Sequence, residues 1–527
     1  MTTVNRIFKV NGKPFFPLGR HRIYMAGYHV RDESEIEEQL KATKLCNANT
    51  VSCAIFWDQI EPEEGKFDFS SIDTLITLAR KYELKLIPLW FATWKNAVMD
   101  YAPKYIKSNP KLYKRVIAPT GNAIWVLSSH CKATLEADKR AFAALCKHLK
   151  AFDGKEQTVI GLQVENEPGI SGSDRDYSPE AQAIYDNPVP AKFMSAMKTA
   201  GKGAVYDVWQ QNGGKESGTW PELFDWEAGQ LMSAWSIATF IGEVAKAGKA
   251  VYDIPMLVNI WGGAGMPGEG ATDPNLVNMY KWFAPYLDIA APDGLSANPL
   301  IHQKQVAPYA EAYPLFVIES NAGLNGMLWD IADYNAIGYF VHYDQNEDGT
   351  VPPEQQRRVS LTRSMVAAIP LLLKYQGTGK IHAIEEPLSE PTRHGRGAQM
   401  ELDGYWGIIQ FGDRHAGMGY LHLGSKEREV ERGAGLVIQA NRHEFYLVGF
   451  NYRIMFRPKP TLKNMQYTLH GRDVDHPSYV NFALSVEEGH FNGKDEFVVH
   501  RQINGDDLRG GVWVGPDDSV MRVLTCD

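Results

Sequence analysis

Gly161-Leu-Gln-Val-Glu-Asn-Glu-Pro-Gly169 reads as an apolar strand that ends in Asn166-Glu167 and is broken by Pro168-Gly169. A strand that delivers a carboxylate at its end, just before a loop, is how parallel barrels place their working groups. Pro314-Leu-Phe-Val-Ile-Glu319 ends the same way. Outward from these two segments, short apolar runs alternate with helical patterns from about residue 20 to residue 345, the signature of a parallel sheet built from βα units. Eight runs are counted: Arg22 to Tyr28, Thr50 to Phe56, Lys85 to Phe91, Thr158 to Val164, Pro255 to Ile260, Leu287 to Pro292, Pro314 to Glu319 and Asn335 to Val341. Between the second and third, Ile72, Leu75, Ile76 and Ala79 recur at i, i+3, i+4 and i+7, which predicts a helix with one apolar stripe on the sheet. Eight such units predict an α/β fold of the (β/α)8 TIM-barrel type. In it Glu167 ends the fourth strand and Glu319 the seventh.

At 527 residues the chain exceeds what one core supports. The spacing predicts a catalytic barrel over residues 1–375 and a C-terminal β-rich domain over 376–527, where short alternating strands such as Leu436 to Asn441 and Glu444 to Gly449 take over. No linker is long or proline-rich enough for free motion, so the appendage is expected to pack on the barrel. The interval from about 169 to 235 is too long for an ordinary βα loop and is expected to form a lid or side wall carrying Trp209, Trp220 and Trp226.

A net charge of −9, with no run of Lys and Arg, argues against nucleic acid as a partner. No stretch approaches the length of a membrane span and the N-terminus lacks a signal-peptide core, which together predict a cytoplasmic protein without a membrane partner, or a periplasmic one if a leader has been removed. The five cysteines, Cys46, Cys53, Cys131, Cys146 and Cys526, show neither CxxC spacing nor a paired framework, so reduced thiols are expected and neither a metal nor another cofactor. Oligomeric state is not legible, and a homo-oligomer stays open.

Two carboxyl groups delivered by two strand ends are the minimum equipment for hydrolysing a glycosidic bond, one as proton donor and the other as nucleophile or base. A carbohydrate is the expected partner, with Glu167 and Glu319 catalytic. Burial and neighbours must keep one carboxyl protonated and the other ionised near neutral pH. The competing reading makes each a strand-end glutamate paired with a loop arginine, and two at matching barrel positions weigh against it. Asn166 is placed to hold a sugar 2-hydroxyl, a contact that strengthens in the transition state. Glu165, two residues before Glu167, points the same way in a regular strand; a bulge would separate them, leaving it as a support behind Glu167 or as a substrate ligand. Trp94 and Asn96 after the third strand are expected to be functional; Trp57 after the second, Asn259 and Trp261 at the fifth, Asp293 after the sixth, and His342 and Tyr343 after the eighth occupy the face where ligands bind, and about half of these are expected to touch substrate.

At these residues the chain resembles the clan A glycoside hydrolases, and within them the family 35 β-galactosidases that carry a C-terminal β-rich domain. The resembling stretches are Trp57-Asp-Gln-Ile-Glu-Pro-Glu-Glu-Gly-Lys-Phe-Asp-Phe69, Leu89-Trp-Phe-Ala-Thr-Trp-Lys-Asn96, Val164 to Gly169, Pro314 to Glu319, Asn335-Ala-Ile-Gly338, Gly433 to Gln439 and Val486-Glu-Glu-Gly489. The resemblance implies Glu167 as general acid/base, Glu319 as nucleophile and Asn166 as the 2-hydroxyl ligand, in a retaining, exo-acting β-glycosidase, foremost a β-galactosidase acting on oligosaccharides. The same scaffold would serve a transglycosylase or a β-glucosidase, and a non-catalytic carbohydrate-binding protein is the reading from outside enzymology. The chain differs from the family pattern at three places: Gly19-Arg-His-Arg-Ile-Tyr-Met-Ala-Gly-Tyr28 stands for a Gly-Gly-Glu-like segment, Pro292 to Asn298 lacks the expected tyrosine, and Tyr339-Phe-Val-His-Tyr-Asp-Gln-Asn-Glu-Asp348 replaces a more apolar segment.

Overall fold

A computed structural model describes residues 7–22, 27–30, 32–260, 273–294, 296, 298–320, 324–342, 350–352, 355–386, 397–411, 433–459, 481–508, 510–515 and 519–526. Seven parallel strands form one sheet in the order Ile289–Pro292, Met256–Ile260, Leu162–Asn166, Lys85–Lys95, Thr50–Phe56, Leu18–His21 and Tyr339–Val341. The ends of that sheet are joined by residues 314–319, which bridge Glu319 to Asp293 on one side and Val317 to Tyr339 on the other. Backbone hydrogen bonds from Gly294 N to Glu319 O (2.7 Å) and from Phe340 N to Val317 O (2.9 Å) hold this eighth stave. The barrel is therefore closed, and its seventh member is a stave of isolated bridges rather than a regular ladder.

Side chains alternate across the wall, as the two-residue period of a strand requires. Ala54, Phe56, Ile87, Leu89, Phe91, Leu257, Ile289, Ala291, Phe316, Ile318 and Phe340 fill the interior, while Val51, Cys53, Ile55, Leu86, Trp90, Val164, Val258 and Val317 face the helices. Both faces of the second strand are buried, its only polar members are the small Thr50 and Ser52, and it coincides with the expected Thr50–Phe56. The helix expected around Ile72 to Ala79 spans Ser70–Lys81, with Ile72, Leu75, Ile76 and Ala79 buried.

Two strand expectations are corrected. The first strand is Leu18–His21 rather than Arg22–Tyr28; its Arg20 and His21 are buried polar residues, so no apolar run marks it, and Tyr28 lies in a 3-10 turn. The eighth ladder holds only Tyr339–Val341 of the run from Asn335, because Asn335 adopts a φ of 54° and its side chain accepts from Gly377 N at 2.7 Å.

The interval after the fourth strand folds into four short helices, Pro179–Tyr185, Ala191–Ala200, Ala204–Gln211 and Trp220–Phe224, leading into the long helix Ala228–Val251. Trp209 and Trp220 are buried, with Trp220 packed against the rings of Phe193, Phe224 and Trp235, whereas Trp226 is 81% exposed.

From Ile381 onward the described residues form two antiparallel sheets of six and four strands. They enclose a common core of residues including Leu402, Phe411, Val437, Leu447, Phe456 and Val523. The strand Glu444–Phe450 shows why both sheet faces are apolar: Phe445 and Leu447 enter that core, while Tyr446, Val448 and Phe450 join the same cluster as the barrel helices. The β region is thus seated on the barrel by a continuous apolar contact. The five cysteines are unpaired, four of them buried. Among the described residues no helix is long and apolar enough to cross a membrane.

Candidate active site

The fourth strand loses register before Asn166 against both of its neighbours. Glu165 and Glu167 adopt φ values of 62° and 46°, the left-handed region, which costs about 1–3 kcal/mol at each residue and persists only where the surroundings impose it. The kink sends the two glutamates to different environments. Glu165 is fully buried and accepts from Thr93 N (3.2 Å) and Trp94 N (2.8 Å). Burial, and next the Asp138 carboxyl beside it, push the Glu165 carboxyl well above the usual range. Asp138 in turn holds Trp90 Nε1 at 2.9 Å and Thr93 Oγ1 at 2.5 Å. Glu165 supports the third strand from behind and offers substrate no surface, which removes it from the expected ligands.

Asn166 is buried, and its Oδ1 accepts from Gln163 Nε2 at 3.0 Å. That contact orients the amide and leaves Nδ2, a donor, without a protein partner among the described residues. Glu167 is fixed by its N–H to Asn259 O (3.1 Å) and by Ala97 N to its carbonyl (2.9 Å). Its carboxylate lies 3.8 Å from Lys95 Nζ and shares a side-chain hydrogen bond with Asp293. Asp293 accepts from Asn259 Nδ2 at 2.6 Å. Burial, then the charges of Glu319 and Glu167, raise the Asp293 carboxyl far above the usual range. Two carboxylates in hydrogen-bond contact cannot both ionise, so the pair holds one proton.

Glu319 sits between two histidines: His21 Nε2 lies 3.3 Å from Oε2 and His342 Nε2 lies 3.3 Å from Oε1. Burial opposes its ionisation, yet His21, His342 and Lys95 prevail and hold it well below the usual carboxylate range. Burial lowers the pKa of the His21 ring against the opposing pull of Glu319, and its Nδ1 is 2.7 Å from Ser52 Oγ. The Asp293 carboxyl beside Glu167 therefore retains a proton while Glu319 stays ionised, which keeps an acidic proton and a carboxylate nucleophile in one site.

Of the expected site residues, Asn166, Glu167, Asn259, Asp293, Glu319 and His342 are brought together. Trp57 and Trp94 are not: both have 0% exposure. Trp57 Nε1 donates to Glu61 Oε2 at 2.9 Å, and Trp94 packs edge-on against Phe240. As the bulkiest apolar side chains they fill the space between wall and helices, which corrects the expectation that both face a ligand. Asn96 is exposed, with a φ of 54°, and pairs with Lys95 Nζ. Trp261 and Tyr343 lie outside the described residues.

Two participants were not singled out from sequence. His21 falls in the strand that carried no apolar signal, although the departure from the family pattern at Gly19 to Tyr28 marked the segment. Lys95 lay within a quoted motif as one polar residue among aromatics. The three departures, at the first, sixth and eighth strands, supply His21, Asp293 and His342, and all three face the paired carboxyls.

The described strands form the (β/α)8 architecture that the resemblance to clan A glycoside hydrolases implies. Residues 28–212 match a family model described as beta-galactosidase, that of glycoside hydrolase family 42, and residues 364–515 match a domain of unknown function, DUF5597. Beta-galactosidase-1-like protein 3 of Homo sapiens is 30% identical over 178 residues, 32% of this chain and 25% of that protein. The beta-galactosidase of Xanthomonas manihotis is 23% identical over 176 residues, 32% of this chain and 26% of that one. The chain thus matches about a quarter of the length of these curated relatives. Among solved structures, a beta-galactosidase from the psychrophilic Marinomonas ef1 superimposes at TM-score 0.47 and 12% identity, over 68% of this chain and 61% of that one.

Proposed function

We propose that this chain is a retaining, exo-acting β-glycosidase that cleaves β-galactosides of oligosaccharides. Glu319 attacks the anomeric carbon while Glu167 protonates the leaving oxygen; Glu167 then takes a proton from water, which releases the sugar from Glu319. Asn166 Nδ2 donates to the 2-hydroxyl. The galactoside assignment rests on the beta-galactosidase family model and on the names of the relatives, and the narrower family 35 reading on the ordered motifs in both the barrel and the β region. The observation that carries the proposal is the opposed environment of the two carboxyls: Glu319 bracketed by His21 and His342, Glu167 set against Asp293, whose carboxyl is pushed up.

The test is hydrolysis of a panel of aryl β-glycosides by the full chain and by Glu319→Gly. The β-galactoside should be turned over fastest. The variant should lose about a thousandfold or more in kcat, with azide restoring turnover and yielding an α-glycosyl azide. Unchanged turnover by Glu319→Gly would overturn the assignment.

A further inference from the structure

Three atoms able to bind a metal converge at the mouth of the barrel. His21 Nε2 and His342 Nε2 each stand 3.3 Å from an oxygen of Glu319, and one such atom from each residue lies within 4.8 Å of the others. We propose that His21, Glu319 and His342 form a site for one divalent transition-metal ion of the zinc class, and that the ion bound there arrests glycoside cleavage by occupying Glu319.

The spacing fits the ion. With zinc–ligand bonds of about 2.0–2.2 Å in a tetrahedron, neighbouring ligand atoms are separated by about 3.4 Å. Each histidine-to-carboxylate separation has that span but runs to a different oxygen of Glu319, so an ion is taken up by binding both oxygens or by a turn of the carboxylate between the two rings. Two imidazole nitrogens and one carboxylate oxygen suit zinc, copper or nickel, whereas magnesium and calcium prefer oxygen throughout.

The surroundings support ligation. Ser52 Oγ, 2.7 Å from His21 Nδ1, is the partner on the second ring nitrogen that orients a ligating histidine. His21 Nε2 is buried and makes no hydrogen bond among the described residues, although it faces the carboxylate. His342 is held through its backbone, N–H to Ser320 O (2.9 Å) and carbonyl from Arg358 Nη1 (2.6 Å). The two rings meet at 72° with centroids 4.6 Å apart, an edge-on arrangement rather than a stack. The side chains of His342 and Glu319 are 26% and 17% exposed, against 1% for His21, so an ion is admitted from the His342 side. The opposing charge nearby is Lys95, whose Nζ is drawn to Glu167 at 3.8 Å. The ligands come from three separate members of the barrel, which is why no ligand spacing is visible in the sequence.

The ion site stands on this geometry whatever Glu319 does; only the arrest of cleavage rests on the glycosidase reading. A carboxylate oxygen committed to a metal has no lone pair free to attack the anomeric carbon.

The test is calorimetric titration of the chelator-treated full chain with zinc chloride, with cobalt chloride absorption as a second readout. One ion per chain should bind. Ser52→Ala, which retains all three ligands, should weaken binding about 10–100-fold, and His342→Ala by at least as much with its circular dichroism unchanged. His500→Ala, which removes half of the exposed cross-strand histidine pair His490–His500, should leave affinity unchanged. Absence of saturable binding, indifference to Ser52→Ala and His342→Ala, or loss on His500→Ala would overturn the site. In the aryl glycoside assay, zinc should inhibit and chelator should restore the rate; persistent turnover with the ion bound would overturn the arrest. Zinc binding by a chain that hydrolyses no glycoside would instead sink the glycosidase reading and leave the ion site intact.

Discussion

Asp293 meets Glu167 carboxyl to carboxyl in a side-chain hydrogen bond, with Asn259 Nδ2 donating to Asp293 Oδ1 at 2.6 Å from the other side. Pushed far above the usual range, the Asp293 carboxyl keeps a proton in contact with Glu167, the group proposed as general acid. In Asp293→Asn that proton loses its second carboxyl, and Lys95, 3.8 Å from Glu167, favours the ionised form unopposed. The alkaline limb of the kcat/KM profile should move to lower pH by about one unit or more, with activity retained on the acid side. An unmoved alkaline limb would mean that Asp293 plays no part in protonating Glu167.

Glu319 carries the opposite shift. Its carboxyl is held low against burial by His21, His342 and Lys95, so it stays ionised until the pH falls below the ordinary carboxylate range, and the acid limb should lie there. In His342→Gln one donor is weakened and burial gains weight, so the acid limb should rise. A pH-rate series on the two proteins decides it, and a limb that moves down instead contradicts this role for His342.

Asn166 Nδ2 is a buried donor with no protein partner among the described residues, oriented by Gln163. Asn166→Ala should lower kcat/KM on a β-galactoside by about 10- to 1,000-fold. On the 2-deoxy substrate the wild type and the variant should differ little, because the contact is already missing. An equal loss on both substrates would show a general defect of the site.

Glu61, in the Glu-Pro-Glu-Glu-Gly stretch that carries part of the family resemblance, is a structural hub. It accepts from Trp57 Nε1 (2.9 Å), Gly65 N (2.8 Å), Tyr105 OH (2.9 Å) and Arg140 Nη2 (2.9 Å). Removing a buried carboxylate that satisfies four donors should destabilise the chain by about 3–5 kcal/mol in urea unfolding. Arg140→Ala should cost less, since its guanidinium side chain is 39% exposed.

What was legible in the sequence follows from which signals burial writes into it. Thr50–Phe56 was readable because both of its faces are buried, so every residue had to be compatible with a core. Leu18–His21 was not, because half of that strand is Arg20 and His21, and polar residues at core positions erase the apolar run. Asn166, Glu167 and Glu319 stood out as polar ends of apolar strands, whereas His21 and Lys95 join them only through closure of the barrel. Trp57 and Trp94 misled because an indole suits a sugar face and a helix–sheet interface equally well; burial separates the two uses, and composition does not. The opposite facing of Glu165 and Glu167 required the pair of positive φ angles, a backbone feature that side-chain periodicity does not encode.

The central claim is that Glu319 forms the covalent glycosyl intermediate. Incubating the full chain with a 2-deoxy-2-fluoro-β-galactosyl fluoride, then digesting it and sequencing the labelled peptide by mass spectrometry, addresses that claim directly. One fluorogalactosyl group per chain is expected, on Glu319, with loss of activity in step with labelling. Stoichiometric label on any other residue, or a chain that turns over β-galactosides without ever becoming labelled, would contradict it.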